Sequence, residues 1–368
     1  MRKLGNIVAR LTAARHAMEN LPTAGLGGSL TEMSGFGSNP GNLLARSFIP
    51  PGLRRAAPLV VVLHGCTQNA ASYDGGSGWS QLAKRDGFAV LFPEQQRANN
   101  ANLCFNWYLP GDARRDHGEA RSIAQMVKHM IALHGLDQSQ VFVTGLSAGG
   151  AMTSVMLASY PELFAGGAVI AGLPFATANS LPEALERMRG QGSPTRKALA
   201  DRARASAPHT GRKPSLSVWH GTHDTIVDPG NASVIVDQWR DLHGVGGALG
   251  AVENVGRHRR EVWLDASGRE IIERYDIRGM SHGTPLDTRG SDAVGLAGPH
   301  MLEAGICSTQ RIAAFWGLTD ADKVSREFRQ DIVGVAPVRD TRPEDTRGRS
   351  GDVATIIDDA LRAAGLMR

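Results

Sequence analysis

The sequence predicts an α/β fold, a mostly parallel central sheet flanked by helices. Short apolar runs such as 58–63 (PLVVVL) and 140–144 (QVFVT) show little of the polar alternation of a half-exposed strand, as in strands buried on both faces. Between such runs lie longer segments whose apolar residues recur at helical spacing. The two kinds alternate along the chain, which is the pattern of βαβ units.

The elements follow in order. Residues 24–41 are rich in Gly, Ser, Pro and Asn and read as loop. Residues 58–63 form the first core strand, ending at His64-Gly65. A helical fragment at 80–85 leads to a strand at 87–92, stopped by Pro93. Ile123, Met126, Val127, Met130 and Ile131 set a helix over 119–134. The strand 140–144 runs into an apolar helix at 148–160, ended by Pro161. Further strands fall at 166–172 and 216–219, a helix at 233–243, and two last strands at 261–264 and 270–277 around the turn 265–268. The stretch 173–213, helical and charged in places, reads as an insertion of the kind that caps a site in such sheets. Beyond 318 the composition shifts. Residues 339–352 are rich in Arg, Asp and Gly and read as a linker, and 354–367 as a short amphipathic helix.

Composition narrows the function classes. Forty Lys and Arg against 36 Asp and Glu leave a scattered excess of +4, which does not support nucleic-acid binding. No apolar run approaches the roughly 18 residues of a membrane span. Residues 1–21 carry Arg2, Lys3, Arg10 and Arg15 but no continuous apolar stretch, so a secretory signal is not evident and a cytoplasmic location is the default expectation. That segment reads as a docked or frayed helix, or as a basic amphipathic helix on a surface. Cys66, Cys104 and Cys307 stand far apart, with no CxxC pair and no metal-ligand spacing, so no metal is expected.

The strongest chemical signal is Gly145-Leu146-Ser147-Ala148-Gly149. It fits G-x-S-x-G, follows a strand and opens a helix, the context of a nucleophile elbow in an α/β-hydrolase fold. A serine on so sharp a turn needs small flanking residues, which Gly145, Ala148, Gly149 and Gly150 supply. The helix N-terminus favours negative charge beside it. Such a serine requires a base and an acid, in the chain order Ser, acid, His. Asp224 follows the strand 216–219 and a Gly turn, and is the expected acid; Asp228, ahead of Pro229, is its competitor. His282, in the glycine-flanked loop Gly279-Met280-Ser281-His282-Gly283, is the expected base, with His300 in reserve. His220 and His223 share the acid loop and look badly placed to serve Ser147. Backbone N–H groups of Cys66, after the first core strand, and of Ala148 are the expected oxyanion donors. The chain therefore divides into an N-terminal extension at 1–45, a catalytic α/β-hydrolase domain at 46–318 and a C-terminal extension at 319–368.

The segments PLVVVLHGCTQN (58–69), FPEQ (92–95), CFNW (104–107), Gly118-Glu119, GLSAGG (145–150), HGTHD (220–224) and GMSH (279–282) resemble the polyhydroxybutyrate depolymerase family of esterases, which also contains feruloyl and acetylxylan esterases. The resemblance spans about residues 39–318. It implies carboxylic-ester hydrolysis without a cofactor, on a small ester or a poly(3-hydroxybutyrate)-type polyester or its oligomers. Its nucleophile, acid and base motifs fall on Ser147, Asp224 and His282, and its oxyanion motif on Cys66. Many secreted members add a signal peptide, a linker and a polymer-binding domain, none of which is evident in this sequence. Cys66 and Cys104 lie in two of the motifs, and either a disulfide bracing the oxyanion loop or a pair of buried thiols fits them. Trp79, Trp107, Tyr108 and Trp219 lie near the motif loops and read equally as pocket lining or as core. A feruloyl or acetylxylan esterase, a serine peptidase of the same fold and a non-catalytic scaffold remain as alternatives.

Overall fold

The computed structural model describes residues 30–209 and 211–320. The basic lead at 1–21, the linker at 339–352 and the helix at 354–367 read from the sequence lie outside the described residues.

Strand β3 (Leu59–Leu63) shows why the apolar runs are continuous. Leu59, Val61 and Leu63 face one core while Val60 and Val62 face another, so neither side of the strand meets water. Each such side chain contributes about 1.5–3 kcal/mol on burial. Around it stand β1 (Thr31–Glu32), β2 (Leu44–Phe48), β4 (Ala89–Glu94), β5 (Val141–Leu146), β6 (Gly166–Ile170), β7 (Ser215–Gly221), β8 (Ala251–Val255), β9 (His258–Leu264) and β10 (Glu270–Ile277). Among the described residues these ten strands form one sheet, ordered β1-β2-β4-β3-β5-β6-β7-β10-β9-β8. The six central strands from β4 to β10 run parallel, and the pairs at both margins are antiparallel. Two short strands, β11 (Thr284–Leu286) and β12 (Met301–Glu303), pair separately.

The helices are α1 (Ala70–Ser77), α2 (Trp79–Asp86), α3 (Gly118–His134), α4 (Ala148–Ser159), α5 (Leu181–Met188), α6 (Arg196–Ser206), α7 (Gly230–His243) and α8 (Ser308–Phe315). Ile123, Met126, Val127 and Met130 of α3 fill one core with Met152 and Val155 of α4 and Ile235 of α7. Trp79 and Leu82 of α2 and Ile312 of α8 fill the other. Trp79 stacks on Trp316, and Trp219 on Tyr275, so both tryptophans are core. No helix among the described residues is long and apolar enough to cross a membrane.

Three local readings change. The stretch 24–41, read as loop, contains β1, and β2 begins ahead of residue 46; both belong to the sheet. The Gly-rich composition hid β1, which is a two-residue exposed edge. The exposed edge strand β8 shows no apolar alternation and was equally hidden. The insertion 173–213 is tied to the helical layer and to the segment after Asp224, where Asp228 N–H donates to Met188 O (2.7 Å). Its helix α6 packs beside α7 and α4, and the Gln238 side chain ties Phe175 and Leu199 to α7.

Candidate active site

The expected site residues gather at the C-terminal ends of the parallel strands, where ligands bind in open α/β sheets. Ser147 follows β5 directly, with φ 57° and ψ −116°. A non-glycine residue held there costs about 1–3 kcal/mol. The turn is fixed from both sides: Ser147 N–H donates to Ile170 O at the end of β6 (2.9 Å), and Ala151 N–H to Ser147 O (2.8 Å). The Ser147 hydroxyl makes no cap on α4, although serine is a favoured capping residue. Small neighbours are obligatory. A Cβ at Gly149 would collide with the carbonyls of Leu63 and His64, and one at Gly145 with the backbone of Gly149. The elbow and the exit of β3 are therefore packed backbone against backbone.

That exit carries Cys66. Among the described residues, each backbone N–H from Gly65 to Asn69 meets an acceptor within the protein except that of Cys66. Ala148 opens α4, so its N–H has no partner within the helix. A disulfide joins Cys66 to Cys104, 38 residues on. Thr67 N–H donates to Asn102 O (2.7 Å) and holds the same two loops together.

Behind the loop lies a buried polar network whose members the sequence displayed without showing their contacts. His64 donates through Nδ1 to Gly65 O (2.7 Å) and accepts at Nε2 from Gln95 N–H (3.1 Å). Burial holds its imidazole down to about 4, against the Gly65 bond, so the ring is neutral. The Gln95 amide donates to Cys104 O (3.1 Å) and to Glu119 Oε1 (2.6 Å), and Asn106 N–H donates to Glu119 Oε2 (2.8 Å). Burial pushes the Glu119 carboxyl up to about 8, with Asp112 adding to it, although both of these donors pull the other way. A signal was available: Gln95 and Glu119 are polar residues at the edges of apolar elements, where burial has to be matched by hydrogen bonds.

The expected acid and base meet. His282 Nδ1 lies 2.7 Å from Asp224 Oδ2, and both side chains are buried. Asp224 Oδ1 accepts from the N–H groups of Ile226 (2.9 Å) and Val227 (3.0 Å). Burial alone would raise the Asp224 carboxyl; the hydrogen bonds from His220 and His282 outweigh it and hold the group well below the usual carboxylate range. The loops bearing the pair are sewn together by His223 N–H to Met280 O (3.0 Å) and Gly279 N–H to Thr222 Oγ1 (2.9 Å). Asp228 stands apart: it is exposed, and its Oδ1 accepts from Gly230 N–H at the start of α7. His300 lies beside His282, its Nδ1 3.2 Å from His282 O. Trp107 is buried and meets the half-buried Tyr108 edge to face.

Residues 44–263 match the family described as esterase PHB depolymerase. The chain belongs to that family. It is accordingly an ester-bond hydrolase of the α/β-hydrolase fold. Among its relatives, the poly(3-hydroxyalkanoate) depolymerase C of Paucimonas lemoignei is 45% identical over 292 residues, 79% of this chain and 70% of that protein. The feruloyl esterase B of Talaromyces stipitatus is 30% identical over 276 residues, 73% of this chain and 75% of that protein. Among solved structures, the acetyl xylan esterase from Aspergillus awamori superposes with a TM-score of 0.67 at 26% identity, covering 79% of this chain and all of that one. This member of the esterase PHB depolymerase family thus has relatives of all three ester types named from its sequence.

Proposed function

We propose that this esterase cleaves poly(3-hydroxybutyrate)-type polyester or its oligomers through an acyl-enzyme on Ser147. The observation that carries the chemistry is the buried 2.7 Å contact between Asp224 and His282, at the strand ends where Ser147 projects from its turn. His282 takes the Ser147 proton as Oγ attacks the ester carbonyl. The backbone N–H groups of Cys66 and Ala148 receive the oxyanion, each worth about 3–4 kcal/mol in the transition state. His282 then protonates the departing alkoxide oxygen, giving the free alcohol, and activates the water that releases the acyl group. Asp224 keeps the imidazole in the Nδ1–H form and balances its charge. The polyester reading draws on the identity to the Paucimonas depolymerase, a longer and closer match than the one to the Talaromyces feruloyl esterase. The catalytic domain read at 46–318 extends, on this reading, back to β1, so that it holds the whole sheet from Thr31 to Ile277.

The test is a panel: nitrophenyl esters of graded length, 3-hydroxybutyrate oligomers, amorphous polymer, acetylated xylan, a ferulate ester and a peptide amide. The expected result is fastest turnover on hydroxybutyrate oligomers or polymer, lost to background in Ser147→Ala. Fastest turnover on acetylated xylan or ferulate would transfer the function to those esters, and substantial activity in Ser147→Ala would remove the elbow assignment.

A further inference from the structure

We infer that His220 is a positioning residue, holding the Asp224 carboxylate from behind through the oxygen that also meets His282. The inference rests on the Ser147–His282–Asp224 reading above. His220 is the penultimate residue of β7 and is 1% exposed. Its Nε2 lies 3.1 Å from Asp224 Oδ2 and 2.9 Å from Val227 O. Both neighbours are acceptors, so Nε2 carries the hydrogen, which bonds Val227 O and lies beside Asp224 Oδ2. Nδ1 is buried and, among the described residues, has no partner. The ring is thus fixed as the Nε2–H tautomer, with its bare nitrogen in the core.

This arrangement fills the carboxylate. Oδ1 is held by two backbone N–H groups, and Oδ2 bonds His282 and faces the N–H of His220 at 3.1 Å. Neither oxygen can rotate toward His282 or away from it without losing a bond. The His220 bond also draws charge from the oxygen that faces His282. Without it, the carboxylate would bind the imidazolium form of His282 more tightly and would be free to turn. Among the described residues, His220 from β7 meets Asp224 and His300 from the loop ahead of β12 meets His282, while His223 on the acid loop is exposed. His300 reaches the backbone of His282, which leaves His220 as the side chain that shares Oδ2.

The test compares His220→Phe, which keeps a ring without a donor, with His220→Gln, whose amide nitrogen reaches the Nε2 position. Steady-state kinetics on a soluble nitrophenyl ester should show kcat lowered by roughly 10²-fold in His220→Phe, as for a small misplacement of a catalytic group. KM should stay near wild type, and the acid limb of the pH profile should move to higher pH. His220→Gln should restore both kcat and the limb. Wild-type kcat and an unmoved limb in a folded His220→Phe would overturn the inference, as would a Gln variant no better than Phe. If His220→Phe does not fold, nitrogen NMR of the wild-type protein with labelled histidine decides. A bare Nδ1 on His220 supports the assignment, and a proton on Nδ1 refutes it. Failure here is separable from failure of the triad: an inactive Ser147→Ala beside a normal His220→Phe rejects only the role of His220.

Discussion

Asp224 and Asp228 differ by four positions and by everything that matters to an acid in a triad. Asp224 is buried, its oxygens accept from His282 and two backbone N–H groups with His220 3.1 Å away, and its carboxyl is held low. Asp228 is exposed and occupied at the start of α7. Asp224→Asn should therefore reduce kcat by a factor on the order of 10⁴, because an amide favours the wrong imidazole tautomer. Asp228→Asn should change turnover less than a few-fold. Steady-state kinetics of the two variants check this, and the opposite ranking would move the acid to Asp228. At the same scale, Ser147, the proposed nucleophile, is kept free of the helix. Its positive φ and its unused capping capacity leave the hydroxyl without a structural task in the helix.

At the scale of elements, the site depends on β5, the elbow and α4 pressing against the end of β3. Gly149 marks the contact, since any side chain there meets the Leu63 and His64 carbonyls. Gly149→Ala should destabilise the protein by about 1–3 kcal/mol, the usual cost of overpacking. Activity should fall further, by roughly 10²-fold, because the displaced exit of β3 carries the Cys66 N–H. Gly75 in α1 is the control, with open space around its Cβ position. Gly75→Ala should leave activity intact and raise stability by about 0.5–1 kcal/mol. Thermal melts and kinetics of both variants provide the comparison; an active, stable Gly149→Ala would show that the contact tolerates movement.

At the scale of the whole molecule, two bonds between distant segments govern response to conditions. The Cys66–Cys104 disulfide closes a 38-residue span, worth about 4 kcal/mol in the entropic description. Cys307 is buried, and burial pushes its thiol up. The native protein should therefore titrate essentially no thiol, and the unfolded, unreduced protein one per chain. Three thiols after unfolding without reductant would exclude the bridge. Glu119 gives a pH dependence. Its carboxyl is raised from 4.5 to about 8 in the folded state, so the folded protein retains a proton that the unfolded chain has released. Stability from this group is complete below about pH 4.5 and is lost as pH rises through about 8. Asp224 runs the other way, its contribution present above its ordinary range and lost in acid. The melting temperature of the wild type should thus fall relative to Glu119→Gln between pH 5 and 9. Parallel melting curves across that range would place the titration elsewhere.

The frame of the fold can be read from residue types and their spacing alone. Continuous apolar runs can be buried only between two layers, and G-x-S-x-G between a strand and a helix leaves little room for any geometry but a sharp turn. Both are local consequences of residue type and period, so the sharp turn at Ser147 and the parallel strands were legible. Pairing between distant residues required the folded chain. Asp224 rather than Asp228 meets His282, His220 turns out to stand behind the acid, and Glu119 meets Gln95 and Asn106 beneath the Cys66 loop. The edge strands β1 and β8 likewise exist because neighbouring strands offer them a ladder, with no apolar pattern of their own. Periodicity reports which face of an element is buried; it carries no record of which distant side chain arrives there, because that is fixed by how the loops at the strand ends pack together.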